Sequence, residues 1–315
     1  MRIAPVSLMF LILLTAPAAG RDLFVSNTGG DDTFSGRQTR NAPDRSGPLR
    51  TIARALQLAV AGDRIVLIPS DEPYRESISL VGNRHSGYPH QSFTIEGNGA
   101  TLDGAAPVPP EAWEHFRGPV FRFRPPGKAH QQLFLDNLPA DRVAVDRFQV
   151  GPPKLEKLQW CLHGGHIYFC VEADKLPSDY PLTYARLQTG ITLYHVRRVA
   201  IVDLTVQGFQ LDGINAHNSA REVHLSGVVS RGNGRAGVTT GGASQVEIDL
   251  STIGNNGRAQ VLTMPYSRTS IRNSNVFSNT APAWVDRGGK MDVDGEPVED
   301  GIDGGDITAG GEAGQ

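Results

Sequence analysis

The chain has 315 residues, with 30 Lys and Arg against 33 Asp and Glu, and a net charge of −3 at pH 7. Proteins that bind nucleic acid or anionic membranes through their overall charge are strongly basic, so this balance argues against both classes. The 36 Gly and 21 Pro indicate many turns, and the length suits one elongated domain or two compact ones.

The first twenty residues have the order of a secretory signal peptide. Arg2 supplies a positive charge, residues 6–14 an apolar core, and residues 18–20 a small-residue cleavage site. The apolar run is short for a membrane span, and an uncleaved anchor is the alternative. We therefore expect residues 1–20 to be removed and the mature chain to be soluble, either secreted, periplasmic or at the cell surface, with no membrane contact.

Residues 21–104 have the pattern of an N-terminal cap followed by the first coils of a β-rich fold. A Gly/Asp-rich loop contains Asp31 and Asp32, which are candidate calcium ligands or simply solvated carboxylates. Apolar positions at helical spacing predict one amphipathic helix over 51–60. Strands are predicted at 64–68, 76–80 and 93–96, each bounded by turn residues. We expect the helix to cover the open end of the strand stack, whose unpaired edge would otherwise recruit other chains.

Four segments of this region occur in a recognisable order. They are PLRTIARAL (48–56), GDRIVL (62–67), PYRESI (73–78) and FTIEGNGATLDG (93–104). In this order they resemble the cap and first coils of secreted right-handed β-helix proteins of the pectin-lyase-like superfamily. The resemblance implies the fold more specifically than an activity, because the superfamily includes polysaccharide lyases, glycoside hydrolases, epimerases and proteins of no known chemistry.

Residues 105–184 interrupt the pattern with many prolines and short aromatic-rich strands. The segment resembles the antiparallel β insert that several secreted β-helix enzymes acting on sugars carry between early coils. Trp113, Trp160 and Tyr168 are candidate sugar-stacking, substrate-binding residues there. The alternative is that these rings pack inside the insert.

The stretch WCLHGGHIYFCV within the insert predicts a β-hairpin. A tight turn at Gly165 and His166 would set Cys161 directly across from Cys170, close enough for a disulfide bond. Such a bond suits the oxidising compartment that a signal peptide implies. Two free buried thiols are the alternative.

Residues 185–290 contain a sequence repeat of about 23 residues, whose copies begin at 199, 223, 246 and 269. A fixed period without a helical pattern is typical of stacked β-coils, in which each coil buries its apolar face against its neighbours. Three columns of equivalent residues follow: Ile201, Leu225, Ile248 and Ile271; Ile214, Val238, Val261 and Trp284; and the asparagines 233, 256 and 279, which can form an amide ladder. The sequence therefore predicts an all-β protein, a right-handed parallel β-helix (solenoid) with an N-terminal capping helix and an inserted antiparallel β segment.

One pair of outward carboxylates on the coils has the spacing of a hydrolase site. Glu247 and Asp249 are two residues apart on one strand, roughly 6.6 Å between Cα atoms, which would suit an inverting glycoside hydrolase. Arg272 and His224 fall in the same columns on the adjacent coils. A solvated ion-pair ladder therefore explains these residues better.

A lyase or epimerase of uronates needs a cation to neutralise the carboxylate and a base to take the C5 proton. The best such cluster has Asp212, His217, Arg235 and Arg258 as candidate catalytic residues, with Asn215 and Arg231 as candidate substrate-binding residues. The alternative is that these are turn residues, with Asp212 simply pairing with Arg235.

The segment 291–315 is acidic and Gly-rich, and we expect disorder from about Pro297. Asp292, Asp294 and Glu296 resemble the first ligands of a calcium loop, but the remainder of an EF-hand is missing. We therefore expect no metal site and no required cofactor, with Ca²⁺ as an unsupported alternative.

Two functional hypotheses follow. The first is a secreted protein that binds an extracellular polysaccharide and cleaves it as a lyase or hydrolase. The second is a non-catalytic β-helix that binds glycans or surface partners. In both cases we expect a monomer whose partner is a polysaccharide and not a nucleic acid.

Overall fold

A computed structural model describes residues 20–127, 130–146 and 148–298. The predicted signal peptide, apart from Gly20, and the predicted tail beyond Val298 lie outside these ranges. Within them, no helix is both long and apolar enough to cross a membrane.

In the described part of the chain, three parallel sheets of nine, six and five strands stack along one axis, and only the final β27–β28 pair is antiparallel. The nine-stranded sheet contains β1 (Asp22–Val25), β2 (Arg64–Leu67), β4 (Phe93–Glu96), β15 (Arg197–Val202), β18 (Arg221–Ser226), β21 (Gln245–Asp249), β24 (Arg268–Arg272), β27 (Lys290–Val293) and β28 (Glu296–Pro297). The six-stranded sheet contains β3 (Ile78–Val81), β14 (Ile191–Tyr194), β17 (Asp212–His217), β20 (Ala236–Thr240), β23 (Ala259–Thr263) and β26 (Trp284–Asp286). The five-stranded sheet contains β5 (Thr101–Asp103), β16 (Thr205–Gln207), β19 (Val229–Arg231), β22 (Thr252–Gly254) and β25 (Asn275–Val276).

The register between coils confirms the predicted inward columns. Ile201, Leu225, Ile248 and Ile271 pair in sequence along the nine-stranded sheet, and each is at most 1% exposed. The column from Ile214 through Val238 and Val261 to Trp284 pairs in the same way along the six-stranded sheet. Apolar burial of this kind is the main force that holds the stack together.

The predicted amide ladder is present with one additional member. Asn233 Nδ2 donates to Asn256 Oδ1 at 3.0 Å, and Asn256 Nδ2 donates to Gln260 Oε1 at 2.8 Å. Gln260 Nε2 then donates to Asn279 Oδ1 at 3.2 Å. Because Asn233 and Asn256 are fully buried, these contacts satisfy polar groups that water cannot reach.

The capping helix α1 spans Ile52–Leu58 and packs on β1, β2 and β3. Thr51 caps its first turn, and the carboxylate of Glu76 accepts the N–H groups of Ile52 and Ala53 at 2.8 and 2.9 Å. The helix ends two residues before the predicted Val60 because Ala59 adopts an extended conformation, with ψ of 149°.

Residues 105–185 contribute two small antiparallel sheets and two short 3₁₀ helices, Pro110–Ala112 and Pro177–Asp179. One sheet contains β6 (Ala105–Pro107), β9 (Leu133–Leu135), β10 (Leu138–Pro139) and β13 (Leu182–Ala185). The other contains β7 (Glu114–Arg117), β8 (Val120–Phe123), β11 (Trp160–His163) and β12 (His166–Cys170). This insert lies between β5 and β14, so it replaces one turn between the five-stranded and six-stranded sheets.

The predicted disulfide bond is wrong, because both cysteines are free and buried. Gly164 and Gly165 both have positive φ, which is the conformation of a two-residue type I′ turn, and His163 therefore pairs with His166. This turn lies one residue earlier than predicted, and it places Cys161 opposite Tyr168 instead of opposite Cys170.

Candidate functional site

The insert packs against the turns that join the five-stranded sheet to the six-stranded sheet. A Cβ atom on Gly232 would lie 2.9 Å from the Phe134 ring, and one on Gly234 would lie 3.1 Å from Cβ of His130. In the next coil, Gly257 approaches Gln132 in the same way. The glycines in these turns therefore allow the insert to lie close to the coils, and the insert becomes one wall of the site.

Asp212 and Arg235 form a buried ion pair across two coils. Arg235 donates from Nε to Asp212 Oδ1 at 2.9 Å and from Nη2 to Oδ2 at 2.5 Å. Asn215 Nδ2 adds a third hydrogen bond to Asp212 at 2.6 Å. The carboxylate is fully buried, and its hydrogen bonds raise the pKa of Arg235 further. Simple pairing is thus what the structure shows, and it leaves Asp212 without the freedom that a catalytic base needs.

Arg258 occupies the column of Arg235 one coil later but has no such partner. Its backbone N–H donates to Arg235 O at 2.8 Å, and its side chain is exposed. Among the described residues, no carboxylate lies within ion-pair distance of its guanidinium. This arginine is therefore available to an anionic ligand.

A second arginine, Arg142 of the insert, was not predicted from the sequence. Its guanidinium lies over the Trp160 ring, 5.0 Å from the ring centre, and no described carboxylate forms an ion pair with it. Enclosure by the protein and then the charge of Arg258 lower the pKa of Arg142 to about 10, so the side chain stays charged at pH 7. The residue as a whole is exposed. It lies in a Pro-rich segment without a repeat, and nothing local in the sequence indicates its position.

His130 lies among these charges and was also not predicted. Burial, then the positive charges of Arg258 and Arg235, lower its pKa to about 4. His130 is therefore neutral at pH 7 and can serve as a hydrogen-bonding group beside the arginines.

Arg142 and Arg258 line opposite sides of one cleft of about 670 Å³ between the insert and the coil turns. Gln132, Asn255 and Thr280 add polar groups to its walls, and Pro139, Ala140 and Leu162 add apolar ones. Asp141 is the one carboxylate that lines the cleft among the described residues, and it accepts a hydrogen bond from Gln159 Nε2 at 2.9 Å. The cleft therefore carries an excess of positive charge.

A larger cavity of about 850 Å³ lies at the C-terminal end of the stack. It is lined by Arg268, Arg272 and Lys290 together with Asp286 and Asp292. Positive and negative side chains nearly balance there, so this cavity lacks the uncompensated charge of the cleft.

The structure separates His217 and Arg231 from the cluster predicted around Asp212. His217 is at the far end of β17, roughly 16 Å from Asp212 along the strand, and its ring contacts Tyr194 with 5.2 Å between centres. Arg231 lies on the five-stranded sheet, where its Nε donates to Gln207 Oε1 at 2.9 Å. Neither residue lines the cleft.

The predicted sugar-stacking aromatics are wrong as surface residues. Trp160 is fully buried, Tyr168 is 5% exposed, and Trp113 packs edge-on against Phe123 with 4.7 Å between ring centres. Their rings form the insert's own hydrophobic cores, as the alternative interpretation held.

Glu247 forms ion pairs with His224 at 3.2 Å and with Arg272 at 3.8 Å, on the exposed face of the nine-stranded sheet. Asp249 accepts a hydrogen bond from Asn273 at 2.9 Å. These contacts match the ion-pair interpretation and not a hydrolase pair.

The candidate calcium ligands have local roles. Asp32 accepts the N–H groups of Arg50 and Thr51, each at 2.9 Å, and Asp31 accepts that of Thr33 at 2.8 Å. In the C-terminal segment, Asp292 and Asp294 accept hydrogen bonds from Ser270 and Asn273. Throughout the described ranges, no three His, Cys, Asp or Glu side chains come together as metal ligands.

Residues 189–295 match the family model described as "Right handed beta helix region". A search of curated proteins finds no match to this chain. Among solved structures, one titled "Glycoside hydrolase" is similar with a TM-score of 0.56 and 8% identity, covering 85% of this chain and 74% of the other.

Two further structures have lower TM-scores. "The complex structure of XylC with xylose" has a TM-score of 0.42 and 11% identity, covering 86% of this chain and 69% of that one. "Crystal structure of pectate lyase Pel9A" has a TM-score of 0.41 and 11% identity, covering 88% and 62%. Together with the three parallel sheets, the family match identifies the chain as a right-handed parallel β-helix protein of the pectin-lyase-like type.

Proposed function

We propose that the protein is exported and binds an acidic polysaccharide in the cleft between the insert and the coil turns. The observation that carries the proposal is that Arg142 and Arg258 line one cleft and neither has a carboxylate partner among the described residues. In a protein with a net charge of −3, this positive cleft is a local feature. A guanidinium group binds a carboxylate or sulfate through two parallel hydrogen bonds, so two such groups suit a repeating anion.

The rest of the cleft supports the same ligand class. Gln132, Asn255 and Thr280 have amide and hydroxyl groups that can bind sugar hydroxyls, and the apolar wall of Pro139 and Leu162 excludes water from one side. The fold agrees with this use, since the similar structure with the higher TM-score is a glycoside hydrolase by its title.

Cleavage of the same polymer by β-elimination is a second candidate function. Hydrolysis needs two carboxylates, whereas the described lining of the cleft provides only Asp141. Elimination needs a cation at the uronate carboxylate and a base at C5, and Arg142, whose pKa is lowered to about 10, can act as that base in its small neutral fraction. Such an activity would increase as the pH rises towards 10.

Binding is tested by titrating the protein with acidic oligosaccharides, using uronate and sulfated oligomers beside neutral ones of equal length. We expect affinity for the acidic oligomers only, falling as salt rises, because exposed charges are screened. Arg142→Gln and Arg258→Gln should each weaken binding about tenfold or more. Arg221→Gln is the matched control, because this exposed arginine of β18 lies outside the cleft.

Equal affinity of the wild type for neutral and acidic oligomers would contradict the proposal, as would an Arg221→Gln effect equal to that of Arg258→Gln. Elimination is followed separately by the absorbance of the unsaturated product, and hydrolysis by new reducing ends without that absorbance. Binding with neither signal assigns the protein a non-catalytic role.

A further inference from the structure

Two outward side chains of β17 continue from the cleft across the six-stranded sheet. Ile214 and Ala216 point into the core and are fully buried, so Asn215 and His217 lie on the outer face, roughly 6.6 Å apart along the strand. Asn215 donates to Asp212, which in turn binds Arg235. A continuous line of hydrogen bonds thus joins this face to the cluster beside the cleft.

An exposed tyrosine lies beside His217 on the neighbouring strand. Tyr194 pairs with His217 in the register of β14 and β17, and it is 38% exposed. The rings of His217 and His195 meet the Tyr194 ring at 70° and 84°, with centres 5.2 and 4.6 Å away. These contacts fix the orientation of the tyrosine ring, so a ligand that packs on it would cost little side-chain entropy.

On the following coil the position beside His217 has no side chain. Ala216 pairs with Thr240, and Gly241 comes next in the chain, with its N–H donating to Ala216 O at 2.8 Å. The outer surface is therefore open next to Tyr194 and His217.

We infer that Asn215, His217 and Tyr194, which we name the β17 strip, bind the part of the polysaccharide that extends beyond the cleft. The inference rests on the proposed function, because the cleft is assumed to hold the charged part of the same polymer. The Asn215 amide and the His217 imidazole bind sugar hydroxyls, and the C–H face of one sugar ring packs on the Tyr194 ring. The strip thus makes affinity depend on the length of the polymer.

The test compares short and long acidic oligosaccharides by isothermal titration. We expect wild-type protein to bind long oligomers more tightly than short ones, and Tyr194→Ser to weaken the binding of long oligomers about threefold to tenfold without changing that of short ones. Tyr194→Phe, which keeps the ring, should behave as wild type. Tyr266→Ser is the matched control, because Tyr266 is 91% exposed and lies in a turn between β23 and β24.

The outcomes separate the two proposals. If wild-type protein binds no acidic oligomer of any length, the cleft proposal fails and the strip fails with it. If wild-type protein binds them but Tyr194→Ser matches it at every length, the strip alone is overturned. An equal loss with Tyr266→Ser would also overturn the strip, since the effect would then not be specific to Tyr194.

Discussion

Arg235 reaches from its own coil to the preceding one and donates two hydrogen bonds to the buried carboxylate of Asp212. Arg258 has the equivalent position one coil later, where it instead lines the cleft. One column of the repeat therefore holds a structural arginine and a ligand-accessible arginine side by side.

Substitution of these two arginines should separate stability from binding. Arg235→Gln leaves Asp212 buried without its cation, and we expect the free energy of unfolding to fall by about 3 kcal/mol. Arg258→Gln removes an exposed charge without a partner, and we expect a change within about 0.5 kcal/mol. Urea denaturation measures both, and equal losses of stability would contradict this division.

The approach of the insert to the coils predicts a strong effect at Gly232. Gly232→Ala adds strain at a φ of +64° and a Cβ atom 2.9 Å from the Phe134 ring. Gly227→Ala has the same φ of +64° but nothing nearer than 3.7 Å, so it is the matched control for the strain alone.

We expect Gly227→Ala to lower the free energy of unfolding by about 1 kcal/mol and Gly232→Ala by about 1–3 kcal/mol more. Limited proteolysis should also cut the insert faster in Gly232→Ala than in Gly227→Ala. If the two variants behave alike, the insert does not pack closely at this turn.

The two thiols should be inert in the folded protein. Burial raises the pKa of Cys161 to about 11 and also raises the pKa of Cys170, so little thiolate forms at pH 8. We expect a thiol reagent to react only after unfolding, and a reducing agent to leave the free energy of unfolding unchanged. A native mass that shows a disulfide bond would contradict the register in which Cys161 faces Tyr168.

Acid should loosen the contact between the cap and the first coils through His85. Its Nδ1 accepts the N–H of Val81, and its Nε2 bonds Leu56 O of α1, each at 3.0 Å. Burial and then the charge of Arg84 lower the pKa of His85, while the hydrogen bond to Leu56 acts in the opposite direction. The unfolded chain therefore binds the proton more readily, and stability is lost as pH falls below about 6.5.

The measurement is the free energy of unfolding at pH 7 and pH 5 for wild type and His85→Gln. We expect the wild type to lose more stability between these values, because His130, whose pKa is also lowered, contributes to both proteins alike. An identical loss in the two proteins would show that His85 does not titrate in this way.

Much of the fold was predictable because stacked coils impose one period on the sequence. The column of Ile201, Leu225, Ile248 and Ile271 and the ladder of Asn233 and Asn256 follow directly from that period. The helix and early strands were predictable to within about two residues, since their turn residues are local signals. The cysteine register was not, because a two-residue turn and a neighbouring turn one position later differ in free energy by less than the local sequence reveals.

The site divides in the same way. The repeat placed Asp212, Arg235 and Arg258 on one wall, and it also allowed the simple pairing of the first two. Only the tertiary structure showed that Asp212 is buried and fully hydrogen-bonded, and that His217 and Arg231 lie elsewhere.

By itself, the sequence determined the stacked-coil architecture and its columns, because neighbouring coils repeat the same contacts at a constant spacing. The tertiary structure decided where charge is available to a ligand. Arg142 and Arg258 are 116 positions apart in the sequence, and they meet at one cleft only because the insert folds back over the turns. The insert has no repeat, so its position depends on packing between Phe134 and Gly232 that no local pattern encodes.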